Sequence, residues 1–382
     1  MTNHIENNKN KNAGEIMKMK YKLLALYTSA TSAIFIMPHA IGEETSRDTH
    51  SLPLSIQAQM NLGQAGLMSS FSSGDTFGGV QWRIGQARTT IGKAKSTSSK
   101  ADYKDDTSDI VAPLTVQHAL SDGRSLLRLN VTGTLSNGGD NEVQLEGNIG
   151  RMDAQYIRFL DINTMLSFGV FGEQTDLDIV DAGTIKRHGA GLRFDVINKF
   201  SDHWGATLRT EYSWGKQELK VAAGPFIRTH KPGDDHFYLQ SELVGNYHNN
   251  DFDKIPEGWV LHPVLGMQFQ RNFLEATADS FGTVSSGEVG STENYGTVWG
   301  HLRFEKEARP NTLSPSVVIG IEQEYVNDLD EYVDEPTYAV FGGGISIMQQ
   351  SGNRYELSYL RHQGLKQNRS NEAVVLTATW NL

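Results

Sequence analysis

The feature that most constrains this chain is an alternation of apolar and polar residues with a period of two. From Leu127 to Leu135 the odd positions hold Leu, Leu, Val, Gly and Leu, and the even positions hold Arg, Asn, Thr and Thr. After the turn-forming residues 136–141 (SNGGDN) the alternation resumes from Val143 to Ile149. Successive side chains of a β-strand point to opposite faces, so this pattern predicts a hairpin with one apolar and one polar face.

The same alternation recurs along much of the chain. A secreted β-sandwich would alternate too, but the length of the candidate strands favours a membrane barrel over it. Further candidates are 204–214, 237–248, 259–269 and 298–305. Such strands run to about ten residues, the length that crosses hydrocarbon at a tilt. Aromatic residues that suit a membrane interface lie near strand ends: Trp204, Trp214, Trp259, Tyr338 and Trp380. We therefore expect an all-β fold, a transmembrane antiparallel β-barrel in the outer membrane of a Gram-negative bacterium.

Composition excludes several other classes of protein. After residue 40 the chain contains no run of about 18 apolar residues, which excludes a helical membrane protein. The 382 residues include 34 Lys and Arg against 45 Asp and Glu, and the net charge of −11 argues against a nucleic-acid partner, since phosphate binding needs clustered cations. The absence of cysteine excludes disulfides, thiolate metal sites and cysteine nucleophiles.

Residues 1–42 have the organisation of a secretory signal peptide. Three lysines precede an apolar run from Leu23 to Met37, which is too short to span a bilayer. The run is followed by Ala40-Ile41-Gly42, the small-x-small pattern that signal peptidase recognises. We therefore expect export and cleavage, with Met17 and Met19 as alternative starts of translation.

Connection lengths predict the orientation of the barrel. The connections near residues 350, 310, 252 and 201 tend to be short. Those near 369, 331, 285, 226 and 180 tend to be longer, polar and acidic. Short periplasmic turns alternate with long external loops when both barrel termini face the periplasm.

Charged residues on the polar faces are expected to line one interior. Alternation directs nine of them inward: Arg193, Arg209, Glu211, Glu242, Arg303, Glu305, Glu322, Glu324 and Glu356. Opposite charges there can pair across the interior, brace the barrel and hold a polypeptide segment. A hydrated wall without specific pairs is the alternative.

Several segments resemble the translocator barrel of monomeric autotransporters. Residues 309–318 (RPNTLSPSVV), leading into 319–327, are similar to a strand–turn–strand near the end of that barrel, and residues 341–382 to its last three strands. Residues 156–172 resemble its second and third strands. The resemblance covers residues 142–382 and implies a barrel of about 12 strands. It also implies a barrel that anchors an N-terminal segment and helps to export it through the pore.

Residues 43–141 lie between the signal peptide and this barrel, and two interpretations remain open. Apolar residues occupy the even positions of 54–62 and of 80–84, a pattern typical of strands. The stretch is either a short β-rich passenger with a linker, or extra barrel strands that raise the count to about 14 or 16. Residues 93–109 are polar and indicate a loop or linker.

The last strand carries an expected assembly signal. Residues 374–382 alternate, with the even positions expected to face lipid. In the family that this chain resembles, the barrel-assembly machinery recognises such a strand, which usually ends in Phe or Trp. Here Leu382 is last, and we expect Trp380 to supply the aromatic residue. The implied partners are that machinery, periplasmic chaperones, and outer-membrane lipid with lipopolysaccharide; the barrel is expected to be a monomer.

Residues that carry catalysis or bind metals in other proteins form no recognised motif here. Six histidines lie outside HExxH or similar patterns and are expected to be solvated loop or interior side chains: His188, His230, His236, His248, His262 and His301. The acidic run 328–335 lacks the Gly and the ligand spacing of a calcium loop. We expect no catalytic residues, no metal site and no cofactor.

Two other functions remain open at this point. An open diffusion porin or an adhesin-like surface barrel would show the same alternation. An outer-membrane hydrolase would need a Ser/His or Asp/His pair brought together at the external rim of the barrel.

Overall fold

The computed structural model describes residues 52–68, 105–139, 144–179, 183–284, 292–328 and 335–382. Within these residues one helix, α1 (Leu54–Gln64), precedes fourteen strands in one sheet. The strands are β1 (Asp105–Ala119), β2 (Ser125–Gly139), β3 (Gln144–Phe159), β4 (Thr164–Ile179), β5 (Gly183–Lys199), β6 (Trp204–Ala223), β7 (Phe226–His230), β8 (Asp234–Gly245), β9 (Trp259–Leu274), β10 (Thr292–Lys306), β11 (Leu313–Asn327), β12 (Thr337–Met348), β13 (Arg354–Gly364) and β14 (Arg369–Asn381).

The sheet closes on itself. Each strand of the ring pairs with the next, β6 pairs with β8, and β14 returns to β1. Among the described residues, β7 pairs only with the last part of β6 and lies outside the ring. The ring therefore has thirteen strands, and closure leaves it without an edge strand. The all-β barrel predicted from the sequence is confirmed, but the predicted count of twelve is not.

Two of the thirteen strands come from upstream of residue 142. Both β1 and β2 lie before that position and are hydrogen bonded into the ring. β2 pairs with β3 in the hairpin that the alternation of 127–149 predicts. β1 lies parallel to β14, whereas every other neighbouring pair of the ring is antiparallel. An up-and-down ring with an odd number of strands requires one such parallel pair.

Connections alternate between the two ends of the barrel, but the predicted division by length holds only in part, because 246–258, predicted to be short, spans 13 residues. One end, here called the turn end, carries the connections 120–124, 160–163, 200–203, 246–258, 307–312 and 349–353 together with the C-terminal Leu382. The opposite end, the loop end, carries the connections after β2, β4, β6, β9, β11 and β13. β1 begins at the loop end, because Asp105 pairs with Arg369 at the start of β14.

Alternation separates an inner from an outer face. On β4 the inner Ser167 and Thr175 are each 2% exposed, while the outer Phe168 and Val170 are 55% and 51% exposed. Large apolar side chains cover the outer face along other strands as well: Leu127, Met152, Leu192, Phe194, Leu265, Met267, Val298, Leu302, Val317, Ile319, Ile321, Phe341, Ile345 and Leu376.

Helix α1 lies against the inner face at the turn end. It begins after Pro53, where the backbone N–H of Ser55 donates to the carbonyl of Gly123 in the β1–β2 turn (2.9 Å). Ala58 and Leu62 on its buried face join one apolar cluster with inner side chains from several strands: Leu126, Ile157, Phe159, Met165, Ile197, Val244 and Val264. Hydrophobic burial against the wall therefore stabilises the helix in this position.

The strand pattern predicted for residues 54–62 was wrong. The buried positions are Ser55, Ala58 and Leu62, spaced as one face of a helix, while Met60 is 54% exposed. Residues 1–42, 80–84 and 140–143 lie outside the described part of the chain. Among the residues that the structure describes, no helix has the length and apolar character needed to span a membrane.

Candidate functional site in the barrel interior

A cluster of ion pairs occupies the middle of the inner wall on β3, β5 and β6. We call it the central charge cluster, and it consists of Arg151, Asp153, Arg193, Asp195, Arg209 and Glu211. Each strand contributes a cation and, two residues later, an acid. Since residues i and i+2 of a strand share a face, all six side chains point into the interior.

Arg151 joins β3 to β6 across the interior. Its guanidinium donates from Nη1 and Nη2 to the two carboxylate oxygens of Glu211, both at 2.8 Å. It also donates from Nη2 to Asp153 at 2.8 Å and lies 3.9 Å from the centre of the Phe171 ring. Bidentate pairing of this kind is the strongest that arginine makes with a carboxylate.

Arg193 and Arg209 share the carboxylate of Asp195. Nε of Arg193 donates to Oδ2 at 2.8 Å, and Nε of Arg209 donates to Oδ1 at 2.9 Å. Arg193 also reaches Asp153 on β3 at 3.3 Å. Arg209 is fully buried, so these charges are withdrawn from water and depend on one another.

A second group, the upper charge cluster, lies nearer the loop end around Arg187. This side chain extends from β5 to Glu173 on β4, donates to Ser213 on β6 at 3.2 Å, and donates to Asp234 on β8 at 2.9 Å. His236 pairs with the second oxygen of Asp234 at 2.7 Å. One arginine therefore connects four strands.

The opposite wall carries smaller groups of pairs. Arg303 and Glu305 on β10 lie 3.4 Å apart, and the buried His262 on β9 lies 3.4 Å from Glu305. His362 pairs with Glu322 at 2.9 Å. The expectation that all the histidines are solvated was wrong for His262, which is fully buried.

Nearer the loop end of the same wall, Glu324 gathers partners from several strands. It accepts hydrogen bonds from Tyr338 at 3.0 Å and from Tyr295 at 3.4 Å, and it pairs with Arg369 at 3.3 Å. Glu356 lies at the turn end and pairs with Arg354 at 3.0 Å.

All nine charged residues singled out in the sequence lie on the inner face, but they do not form one group. Arg193, Arg209 and Glu211 meet in the central charge cluster, and Glu242 lies near them, 3.5 Å from the amide of Gln240. The other five belong to the opposite wall: Arg303, Glu305, Glu322, Glu324 and Glu356.

Sequence reasoning missed Arg151, Asp153, Asp195 and the Arg187 group. A repeated Arg-x-acid pattern could have found three of the missed residues, because it occurs at 151–153 and 193–195 as well as at 209–211. The partners of Arg187 lie on three other strands, and no local pattern predicts them.

The end of α1 is attached to the wall by polar contacts. Asn61 donates from Nδ2 to the carbonyl of Ile162 at 2.8 Å and to the side chain of Asn163 at 2.9 Å. Lys199 donates to Asn61 at 3.3 Å. Nη2 of Arg303 donates to the carbonyl of Gly66 at 2.9 Å. These contacts join the helix to both walls of the barrel at the turn end.

The C-terminal strand presents Trp380 at the turn end. Its indole Nε1 donates to the hydroxyl of Tyr355 on β13 at 3.2 Å, and the two rings meet edge to face with centroids 6.2 Å apart. Leu382 is 64% exposed, and its backbone N–H donates to the carbonyl of Gln117 on β1 at 2.8 Å. Val374 and Leu376 point outward, as the alternation predicts.

Acidic residues do not form a metal site in the described part of the chain. Of the acidic run 328–335, residues 329–334 lie outside that part. Glu335 is buried and accepts hydrogen bonds from the backbone N–H groups of Lys366 (3.1 Å) and Asn368 (3.0 Å). Its carboxylate therefore orders the β13–β14 turn.

The fold is similar to that of two solved translocator barrels. The translocator domain of the autotransporter NalP from Neisseria meningitidis is 12% identical; the similarity covers 79% of this chain and 94% of that one, with a TM-score of 0.48. The β-domain of the Bordetella autotransporter BrkA is 14% identical over 60% of this chain and 89% of that one, with a TM-score of 0.45. No family model and no curated protein matches the sequence. The closed strand pairing of the chain itself establishes the barrel.

Proposed function

We propose that this protein is an outer-membrane barrel of the autotransporter-translocator type, which anchors a short N-terminal segment and helps to export it through its interior. One observation carries the proposal. Helix α1 lies inside the turn end, yet the next described residue, Asp105, begins β1 at the loop end. Met68, which packs against the apolar cluster around α1, and Asp105 therefore lie at opposite ends of the barrel.

The outer face supports a location in the membrane. Its apolar side chains, such as Phe168, Leu265 and Ile319, are more than half exposed on a barrel whose interior is charged. Water does not favour such a surface, whereas an apolar band about 25 Å tall is what lipid requires of a barrel. The turn end and α1 would then face the periplasm, and the loop end would face the outside.

The interior suits holding a segment better than conducting solutes. The central and upper charge clusters brace one wall with buried ion pairs, and α1 packs against the wall at the turn end. Such pairs resist collapse of the interior, and the helix occupies the space that an open pore would need.

The expected partners follow from the same features. The outer face would contact membrane lipid and lipopolysaccharide, while periplasmic chaperones would deliver the unfolded chain. The barrel-assembly machinery would recognise the strand that ends in Trp380 and Leu382. Because the closed ring has no edge strand, it needs no second copy to satisfy its backbone, and we propose a monomer.

The location is tested by fractionation and by gel mobility. The protein should separate with outer membranes and migrate faster unheated than boiled, since a closed sheet resists unzipping by detergent. Recovery as a soluble periplasmic monomer would contradict the proposal.

The blocked interior is tested by conductance in planar bilayers. Deleting residues 53–67 should convert a low, intermittent conductance into a larger, steady one. A diffusion porin would instead conduct well before the deletion and show no change after it.

A further inference from the structure

We infer that β1 is an inserted strand that can leave the assembled barrel wall, after which β2 and β14 pair directly and close a barrel of twelve strands. The inference concerns only the fold of the wall and does not depend on the proposed export function. Three observations at the β1–β14 contact, here called the seam, carry it.

The first observation is the direction of pairing at the seam. β1 and β14 are parallel, and parallel pairs are slightly less stable per residue than antiparallel ones. The two strands on either side of β1, β2 and β14, run antiparallel to each other. Without β1, all neighbouring strands of the ring would be antiparallel and their number would be even, as is usual for bacterial barrels.

The second observation is a gap in the seam at Pro113. Pairing of β1 with β2 is continuous from Asp106 to Ala119, and it includes Ala112 and Pro113. Pairing with β14 stops after Val111 and resumes at Leu114. Proline has no backbone N–H, so it removes a donor from the ladder and is normally confined to edge strands. The residue therefore marks β1 as a strand with one weakly bonded side.

The third observation is the register on the two sides of β1. Thr115 pairs with Asn130 on β2 and with Thr379 on β14, and Val111 pairs with Thr134 and Val375 in the same way. The two partners of each β1 residue therefore lie at the same height along the barrel, and their side chains point to the same face. If β1 left, β2 and β14 could move together sideways, and Asn130 would then lie opposite Thr379 without a shift in register. A shift by one residue would exchange the inner and outer faces of a strand.

Engineered disulfides can detect this exchange, because the natural chain contains no cysteine. One double variant, Thr115→Cys with Thr379→Cys, links β1 to β14. The other, Asn130→Cys with Thr379→Cys, links β2 to β14. With β1 in place the second pair is separated by two strand spacings, roughly 9.5 Å, beyond the roughly 7 Å that a disulfide can bridge.

The matched control has the same separation elsewhere in the ring. Ser314 and Glu356 both pair with Ser346 and lie on either side of β12. Ser314→Cys with Glu356→Cys should therefore not form a disulfide in the assembled barrel. Crosslinks are scored in outer membranes by gel mobility with and without reductant.

We expect the 115–379 pair to crosslink at once and the 130–379 pair to crosslink about 10- to 1000-fold more slowly, as a minor state populated at roughly 0.1–10% would. The control pair should not crosslink. A chain lacking residues 105–119 should assemble, remain heat-modifiable and form the 130–379 disulfide rapidly.

Two outcomes would overturn the inference. If the shortened chain fails to assemble, twelve strands do not close without β1. If the shortened chain forms the 130–379 disulfide but the full chain forms no more than the control pair does, β1 does not leave the wall.

Discussion

Nη2 of Arg303, on the inner face of β10, donates a hydrogen bond to the backbone carbonyl of Gly66, 237 positions earlier in the chain (2.9 Å). Gly66 follows α1 with a backbone φ of +72°. This contact connects the end of the helix to the wall opposite the central charge cluster. It also requires a glycine, because a Cβ here would lie 2.5 Å from Nη2 of Arg303 and 2.8 Å from the ring of His262.

Gly66→Ala should therefore weaken the attachment of α1. The left-handed backbone costs an L-residue about 1–2 kcal/mol, and the added methyl group displaces Arg303. About 1.4 kcal/mol corresponds to a tenfold change in an equilibrium, so open conductance events should become about tenfold more frequent in planar bilayers.

Gly63→Ala is the matched control for that change. Nothing lies within 4 Å of a Cβ at Gly63, which is helical, so alanine should stabilise α1 by about 0.5–1 kcal/mol. Equal conductance of the two variants would show that the Gly66 contact does not hold the helix in place.

Arg187→Met should destabilise the barrel strongly. The substitution leaves the buried carboxylates of Glu173 and Asp234 without their guanidinium, and breaking a buried pair costs about 3–5 kcal/mol. The free energy of unfolding in urea, followed by the loss of the fast-migrating form on gels, measures the effect. Arg354→Met is the control, since Arg354 is 44% exposed and its pair with Glu356 contributes less than about 1 kcal/mol. Similar losses in both variants would contradict the assigned role of the upper charge cluster.

The direction of the side chains was predictable from the sequence, because a period of two is the geometry of a strand. Alternation alone assigned Arg209 and Glu211 to the same face, and the structure places both inside. The identity of the ion pairs was not predictable. Arg187 meets Asp234 only because β6 lies between β5 and β8 in the ring, and a local pattern carries no information on that order.

The helix and the thirteenth strand show where the pattern becomes ambiguous. In 54–62 the apolar positions fit a strand, but Ala58 and Leu62 also fit one face of a helix, and packing at the turn end decided between them. β1 contains Pro113, which argues against a central strand when the sequence is considered alone. Its place between β2 and β14 depends on long-range pairing that begins 264 positions away, at Arg369.

The stability of the β1–β2 turn should vary with pH because of the carboxylate of Asp122. Its carboxylate accepts from the Ser125 hydroxyl at 2.7 Å and from the backbone N–H groups of Arg124 and Ser125 at 2.9 and 2.8 Å. These bonds, that of the Ser125 side chain first, hold the pKa of Asp122 below its ordinary value. Because the folded pKa is the lower one, the stabilisation is present above the unfolded value of about 3.9 and is lost as pH falls through the folded pKa.

Carboxyl-carbon NMR titration of the barrel in detergent micelles checks this prediction. Ser125→Ala should move the pKa of Asp122 upward, toward the value measured for the same residue in urea. An unchanged pKa in Ser125→Ala would show that the hydroxyl does not set the titration.

Ile319→Arg should destabilise the barrel if the outer face contacts lipid. Ile319 is 61% exposed near the middle of β11, and a charge on the lipid face at the bilayer midplane costs about 2–4 kcal/mol. Ser316→Arg on the inner face of the same strand should cost less, since Ser316 pairs directly with Glu305. Urea unfolding of both variants in lipid vesicles gives the difference. If Ile319→Arg were as stable as Ser316→Arg in vesicles, the outer face would not be immersed in hydrocarbon.

Trp380→Ala should reduce assembly of the barrel. The indole donates to Tyr355 and packs edge to face against its ring, so the substitution removes an aromatic anchor at the turn end, where the periplasmic interface is expected. If the assembly machinery recognises this aromatic residue near the end of the chain, the heat-modifiable fraction in outer membranes should fall several-fold. Deleting residues 380–382 should leave an unfolded periplasmic species that is open to proteolysis.

Thr379→Ala and Trp380→Phe separate recognition of the aromatic residue from its hydrogen bond. Thr379 lies on the same strand with its side chain on the opposite face, so its loss should leave assembly close to that of the natural chain. Trp380→Phe keeps an aromatic ring but loses the indole donor to Tyr355, and it should assemble nearly as well if the ring is what is recognised. Should Trp380→Ala assemble as well as Thr379→Ala and the natural chain, the terminal strand is not recognised through Trp380.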